Sequence, residues 1–197
     1  MVNSVLICIF TTVYTLKKHR IMSPNAKKET FRPVLVFDLK KKYELFLRYL
    51  FGVNSSGVID LNAQNPVGKM ITSMWITADK PPILEFKNPV SVSLPITASM
   101  HYISKYNHIY IPRWKQEQLR LFIESYYDLT IREFFVIGYE KHYTRDTIIE
   151  AILHDLNRDE YFFTYDMISK YDYRNRVKIS ENVRIDLKKN RKYLINN

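Results

Sequence analysis

A chain of 197 residues that is 46% hydrophobic and 25% charged can bury one substantial core, split at most into two small lobes, and is not a disordered tail. Its formal net charge of +10 points to an acidic partner and argues against a dedicated cation-binding protein. The single cysteine, Cys8, excludes an intramolecular disulfide and any multi-cysteine zinc or iron–sulfur centre, and 4 glycines leave little room for phosphate-cradling loops or flexible linkers.

Residues 1–30 read as an N-terminal arm or a mis-called leader. The apolar run Val2 to Leu16 is shorter than the roughly 20 residues of a membrane span and is broken by Thr11, Thr12 and Thr15. Its basic cluster, Lys17, Lys18, His19 and Arg20, follows the apolar run, the reverse of a secretory signal. Two readings stay open, a true start at Met22 or an ordered segment packing elsewhere. No membrane association is expected. Asn54-Ser55-Ser56 matches a glycosylation acceptor, and without a secretory context it is an ordinary loop.

Residues 31–111 form a region expected to be rich in sheet. Val34 to Leu39, after Pro33, is β-branched and aromatic and predicts a buried strand. Lys40 to Phe51 puts Leu45, Phe46, Tyr49 and Leu50 on one helical face, ended by Gly52, with a loop over Asn54 to Gly57. Lys69 to Thr77 fits strand or helix. Ile83 to Lys87 and the alternating run Val90 to Leu94 flank Asn88-Pro89 and predict a half-exposed hairpin. Pro66, Pro81, Pro82, Pro89 and Pro95 argue against a long helix here.

From Pro112 the periodicity becomes helical, and residues 112–173 form a helical region. One helix carries Leu119, Phe122, Ile123 and Tyr126, and a second starts near Thr130 with Ile131, Phe134, Phe135 and Gly138. Thr144 caps a third, with Ile148, Ile149, Ile152, Leu153 and Leu156 as its stripe. A fourth begins at Asp159 and lines up Tyr161, Tyr165, Ile168 and Tyr171 or Asp172. Residues 174–197 form a basic hairpin and tail, in which Val177 and Ile179 face Val183, Ile185 and Leu187 across Ser180 to Asn182. The expected fold class is therefore α+β, a sheet-rich N-terminal half packed with a C-terminal helical region that ends in a small β-hairpin.

The charge is unevenly spread. Residues 1–50 carry 10 basic and 3 acidic side chains and residues 171–197 carry 8 and 3, whereas residues 110–170 carry 8 and 11. Basic ends around a near-neutral body suit arms that touch nucleic acid or an acidic protein surface, and equally a solvated periphery.

Helices followed by a hairpin have the order of a winged helix-turn-helix, a DNA-binding reading in which Arg174, Arg176, Lys178, Arg184, Lys188 and Lys189 would contact phosphates. Against it, the recognition helix offers Asp159, Glu160 and Asp166 to one Lys170, a field that repels phosphate. Ala63-x4-Gly68-Lys69-Met70 lacks the first glycine and the Ser or Thr of a phosphate-binding loop. Glu85-Phe86-Lys87 with Asp60 or Asp79 has the sparse pattern of a magnesium-dependent nuclease, and alternating charges on an exposed strand explain it as well. The five histidines show no metal-ligand spacing, and His142 and His154 are expected to pack on helix faces. No Gly-x-Ser-x-Gly motif is present. No catalytic residue, cofactor or metal is assigned.

With 15 tyrosines and 11 phenylalanines the chain is rich in residues that favour protein–protein contact, although an AT-rich coding genome raises the same residues. Tyr126, Tyr127, Tyr161, Phe162 and Tyr165 are the candidate interface side chains. The stretches Tyr110-Ile-Pro-Arg-Trp-Lys to Tyr127-Asp128 and Tyr143-Thr-Arg-Asp-Thr-Ile-Ile to Tyr171 resemble small virion proteins of tailed bacteriophages, in particular head–tail connector or ring proteins of crAss-like phages. The resemblance covers about a third of the chain. It implies a non-enzymatic virion subunit, assembled in the host cytoplasm, that repeats in a ring, binds copies of itself and other virion proteins, and sends basic termini to neighbours or DNA. It carries over no individual site residue. The leading expectation is thus an assembly subunit, followed by the winged-helix and nuclease readings.

Overall fold

The computed structural model describes residues 32–83, 85–95 and 108–183. In chain order the elements are β1 (Val34–Asp38), α1 (Lys41–Phe51), β2 (Ile59–Asp60), α2 (Pro66–Met74), β3 (Ile76–Ala78), β4 (Pro89–Ser93), β5 (His108–Tyr110), α3 (Arg113–Glu140), α4 (Arg145–Leu156) and α5 (Tyr165–Asn182). The chain is a mixed α+β protein, but its sheets are small. One has three strands in the order β1-β4-β2 and the other pairs β3 with β5. Among the described residues, the 31–111 region holds two helices as well as strands and is not dominated by sheet.

Strand β1 forms where it is expected, with Leu35 and Phe37 buried on alternate positions. Its partner is β4, antiparallel, with Val34 opposite Ser93 and Asp38 opposite Pro89. The expected hairpin between Ile83 and Leu94 does not form, because β4 takes β1 as its antiparallel partner and β2 as a parallel one. The described residues between Ile83 and Lys87 are not strand, and Asn88 instead closes the β1 end, donating its N–H to the Asp38 carboxylate at 2.7 Å.

Helix α1 follows the amphipathic pattern and stops at Gly52, whose φ of 75° is a conformation that costs glycine little. The ambiguous 69–77 segment is both structures in turn. Asn65 caps α2 by accepting from Val67 N–H at 2.8 Å, Pro66 sits in the first turn, and the chain extends into β3 after Trp75. A Cβ placed at Gly68 would lie 2.0 Å from the Asn62 carbonyl oxygen, so the glycine lets α2 approach the preceding loop.

The largest departure is α3. The two helices expected on either side of Thr130 are one helix of 28 residues, about 42 Å long. Neither proline nor glycine interrupts it there, and the Thr130 hydroxyl donates to the Tyr126 carbonyl at 2.8 Å from within the helix, so it does not cap a new one. Leu119, Ile123, Tyr127, Ile131, Phe135 and Tyr139 are all buried, one every four residues. At 3.6 residues per turn each step advances the row by about 40°, so the buried face winds about 200° round the helix. The row meets α1 first, where Phe46 and Tyr43 stack edge-on against Tyr127, and α4 and α5 later, where Phe135 stacks on Tyr171.

Thr144 caps α4 as expected, through Thr147 N–H. Helix α5 starts at Tyr165, later than the predicted Asp159, because Asn157 ties the linker down. Its side chain accepts from Phe162 and Phe163 N–H at 3.0 and 2.8 Å and donates to the Phe163 carbonyl at 2.7 Å. Thr164 then caps α5. The first arm of the expected C-terminal hairpin is wrong: Val177 and Ile179 belong to α5, which continues to Asn182 with Ile179 buried. The second arm and tail, and the N-terminal arm over residues 1–30, lie outside the described residues.

Two predictions follow from this packing. Gly68→Ala forces the Asn62 loop to move and should lower stability by about 1–3 kcal/mol, read as a lower urea midpoint; an unchanged midpoint contradicts the close approach. Burial raises the phenol pKa of Tyr43, Tyr127, Tyr139 and Tyr171 above the ordinary value. Their protonated forms therefore support the fold fully below the unfolded value of about 10, and that support is lost as pH rises through the higher folded values. The urea midpoint should fall between about pH 9 and pH 12, with part of the tyrosinate absorbance appearing only as helical circular dichroism is lost. Full tyrosinate absorbance from folded protein would refute it.

Candidate interaction face

Helix α5 has a strongly held inner face. The Asp172 side chain is fully buried, and its carboxylate accepts from Arg145 Nε at 2.9 Å, from the Tyr139 hydroxyl at 3.2 Å and from the Arg176 guanidinium. Arg145 also donates through Nη2 to the Ser169 carbonyl at 3.0 Å and hydroxyl at 2.7 Å. Burial pushes the Asp172 carboxyl above its ordinary pKa, and the two guanidiniums oppose that push. One carboxylate thereby joins α3, α4 and α5. Tyr171 adds a second tie, donating to the Asp128 carbonyl at 2.7 Å.

The outer face of α5 is different in kind. Tyr173 and Val177 are 79% and 69% exposed, one turn apart. Beside them run the exposed cations Lys170, Arg174 and Lys178. Lys170 pairs with Asp166 at 2.6 Å, while Arg174 and Lys178 form no ion pair among the described residues. Helix α3 has an outer row as well. Opposite its winding buried row lie Glu117, Leu121, Ser125, Leu129 and Glu133, all exposed and again four residues apart. Trp114, 63% exposed, flanks the first turn with the Lys115 ammonium 5.3 Å from its ring.

The candidate interface aromatics divide accordingly. Tyr127 is buried in the core, and Tyr126 is half-buried against it, stacked on Phe122. Tyr127 falls on the four-residue buried row, and both rings meet Phe46 of α1. Phe162 is half-buried against Phe163. Tyr161 is 80% exposed, and Tyr165 is exposed with its hydroxyl donating to Asp146. Tyr173 and Val177, the most exposed apolar pair on α5, fall on either side of the expected helix-to-hairpin boundary at 173/174. The i, i+4 spacing of Tyr165, Ser169, Tyr173 and Val177 was the available signal.

Of the six basic candidates, Arg174 and Lys178 are exposed on α5, and Arg176 is engaged by Asp172. They are helical and form no wing strand. Arg184, Lys188 and Lys189 lie outside the described residues. His142 and His154 are both exposed and not buried on helix faces as expected, and His154 Nδ1 lies 3.3 Å from Asp155.

Glu85 and Lys87 open onto a cleft of about 490 Å³ with Phe86, Asp38, Arg113, Gln116, Glu117 and Arg120. The carboxylates of the nuclease pattern are not assembled there. Asp60 is taken by Ser93, at 3.0 Å, and by Arg32, and Asp79 does not line the cleft. Among the described residues no three His, Cys, Asp or Glu side chains are grouped to hold a metal, and no helix is long and apolar enough to cross a membrane. Comparison of the chain with known protein families, with curated proteins and with solved structures gives no match.

Asp172→Ala leaves Arg145 and Arg176 without their shared anion and should destabilise the protein by about 3 kcal/mol. Lys170→Ala, which removes a solvent-exposed pair, should change stability by less than about 1 kcal/mol. Urea denaturation monitored by circular dichroism separates the two; equal effects would mean that the buried carboxylate does not hold α5.

Proposed function

We propose that this protein is an assembly subunit of a viral particle, of the head–tail connector or ring type. The observation that carries the reading is the pair of outer rows on α3 and α5 that no other described residue covers, with Tyr173, Val177, Trp114 and Leu121 each at least half exposed. Large apolar side chains displayed on helices whose opposite faces are locked into the core are what a docking surface requires. The basic excess supports the same reading from a second side. Residues 1–31 carry five basic side chains to one acidic, and residues 184–197 carry the same balance, so most of the charge is reserved for the ends of the chain. Such ends suit contacts with acidic neighbours or DNA around a body that packs on protein.

The cleft at Glu85 offers carboxylates and cations in equal number, and among the described residues no metal grouping, which lends a hydrolytic reading no support. Light scattering of the purified full chain across a concentration series should give a mass above that of the monomer, and mass spectrometry of particles should find the chain among their proteins. A monodisperse monomer at every concentration, together with absence from particles, would overturn the reading.

A further inference from the structure

The two outer rows complement each other in shape and charge. On α3, Ser125 is a small residue between Leu121 and Leu129, each about 6 Å away along the helix, so the ridge has a notch at its centre. The ridge closes in carboxylates. Glu117 engages Arg120 at 2.5 Å, and Glu133 forms no ion pair among the described residues. On α5 the projecting group is Tyr173, backed by Val177 and flanked by Arg174 and Lys178.

Resting on the assembly reading, we propose that α5 of one copy docks on α3 of the next. Tyr173 seats in the notch over Ser125, between Leu121 and Leu129 of the neighbour, Val177 covers the adjoining leucine, and Arg174 and Lys178 turn to Glu133. Rows of i, i+4 residues interlock in this way in the commonest class of helix packing. The charges choose this pairing over its alternatives. Two α5 faces brought together oppose Lys170, Arg174 and Lys178 to their own copies, and two α3 faces oppose Glu117 and Glu133 to theirs. A contact between two different faces is heterologous, and it propagates until rotation closes it into a ring.

The test uses two variants of the full chain, Leu121→Glu with Leu129→Glu on the α3 row, and Tyr173→Glu with Val177→Glu on the α5 row. Each alone should be a monomer by light scattering, with a wild-type circular dichroism spectrum. Mixed in equal amounts they should form a dimer of one chain of each and nothing larger, since one intact α3 row and one intact α5 row remain. Should either variant fail to fold, Ser125→Phe, which fills the notch, and Tyr173→Ala take their places. Glu133→Lys should weaken assembly, and adding Lys178→Glu to the same chain should restore it. If the α3 variant assembles like wild type, or the mixture stays monomeric, this docking is overturned while the assembly reading stands. A wild type that is monomeric at every concentration overturns this docking, and its absence from particles as well overturns the assembly reading with it.

Discussion

The architecture depends on the four-residue spacing of buried side chains along α3. A row at that spacing does not stay on one side of a helix; it turns, and with it turns the direction from which neighbours must arrive. Tyr127 therefore faces α1, where Tyr43 and Phe46 meet it edge-on, while Phe135 and Tyr139 face α5 on another side of the same rod. Gly138 completes the arrangement by letting α4 in close, since a Cβ there would lie 2.5 Å from the Ile148 side chain.

Because the buried row winds, so does the exposed one opposite it, and this is how Leu121 and Leu129 come to stand in water on a helix whose other side is fully packed. Helix α5 has a parallel history with different means. Its inner face is fixed by a polar knot, in which Asp172 gathers Tyr139, Arg145 and Arg176, so its outer side chains project from a backbone with little freedom to lose. Rigid presentation lowers the ordering cost of association, and aromatic side chains such as Tyr173 add contact area with few rotatable bonds. The interaction face is thus a consequence of how the core was satisfied.

Local signals predicted local structure well. Strand β1, helix α1 with its stop at Gly52, and the Thr144 cap of α4 each rest on a few adjacent residues whose preferences agree. Failures came where a partner distant in sequence decided the outcome. Val90 to Ser93 had the alternation of a hairpin arm, yet its antiparallel partner is β1, more than fifty residues away, and not the nearby Ile83 segment. Val177 and Ile179 alternate like a strand, and they also satisfy a helix in which Ile179 packs inward and Val177 faces out. Two periods fit four residues equally, and the buried Asp172–Arg176 pair, four residues apart, favours the helix.

The candidate face was partly legible. The five aromatics were offered as one set, and the structure exposes Tyr161 and Tyr165 while it buries Tyr127, since adjacent aromatics on a helix give no sign of which side the core occupies. By itself the sequence determined that the chain folds, that its body is nearly neutral with basic ends, and that its fold is mixed α+β, because composition, charge and capping act through residues in place. Only the tertiary structure decided that α3 is one continuous helix, that Asp172 is the buried anchor, and that Leu121, Leu129, Tyr173 and Val177 are left outside. Burial depends on which surfaces meet, and surfaces meet across separations that no local pattern records.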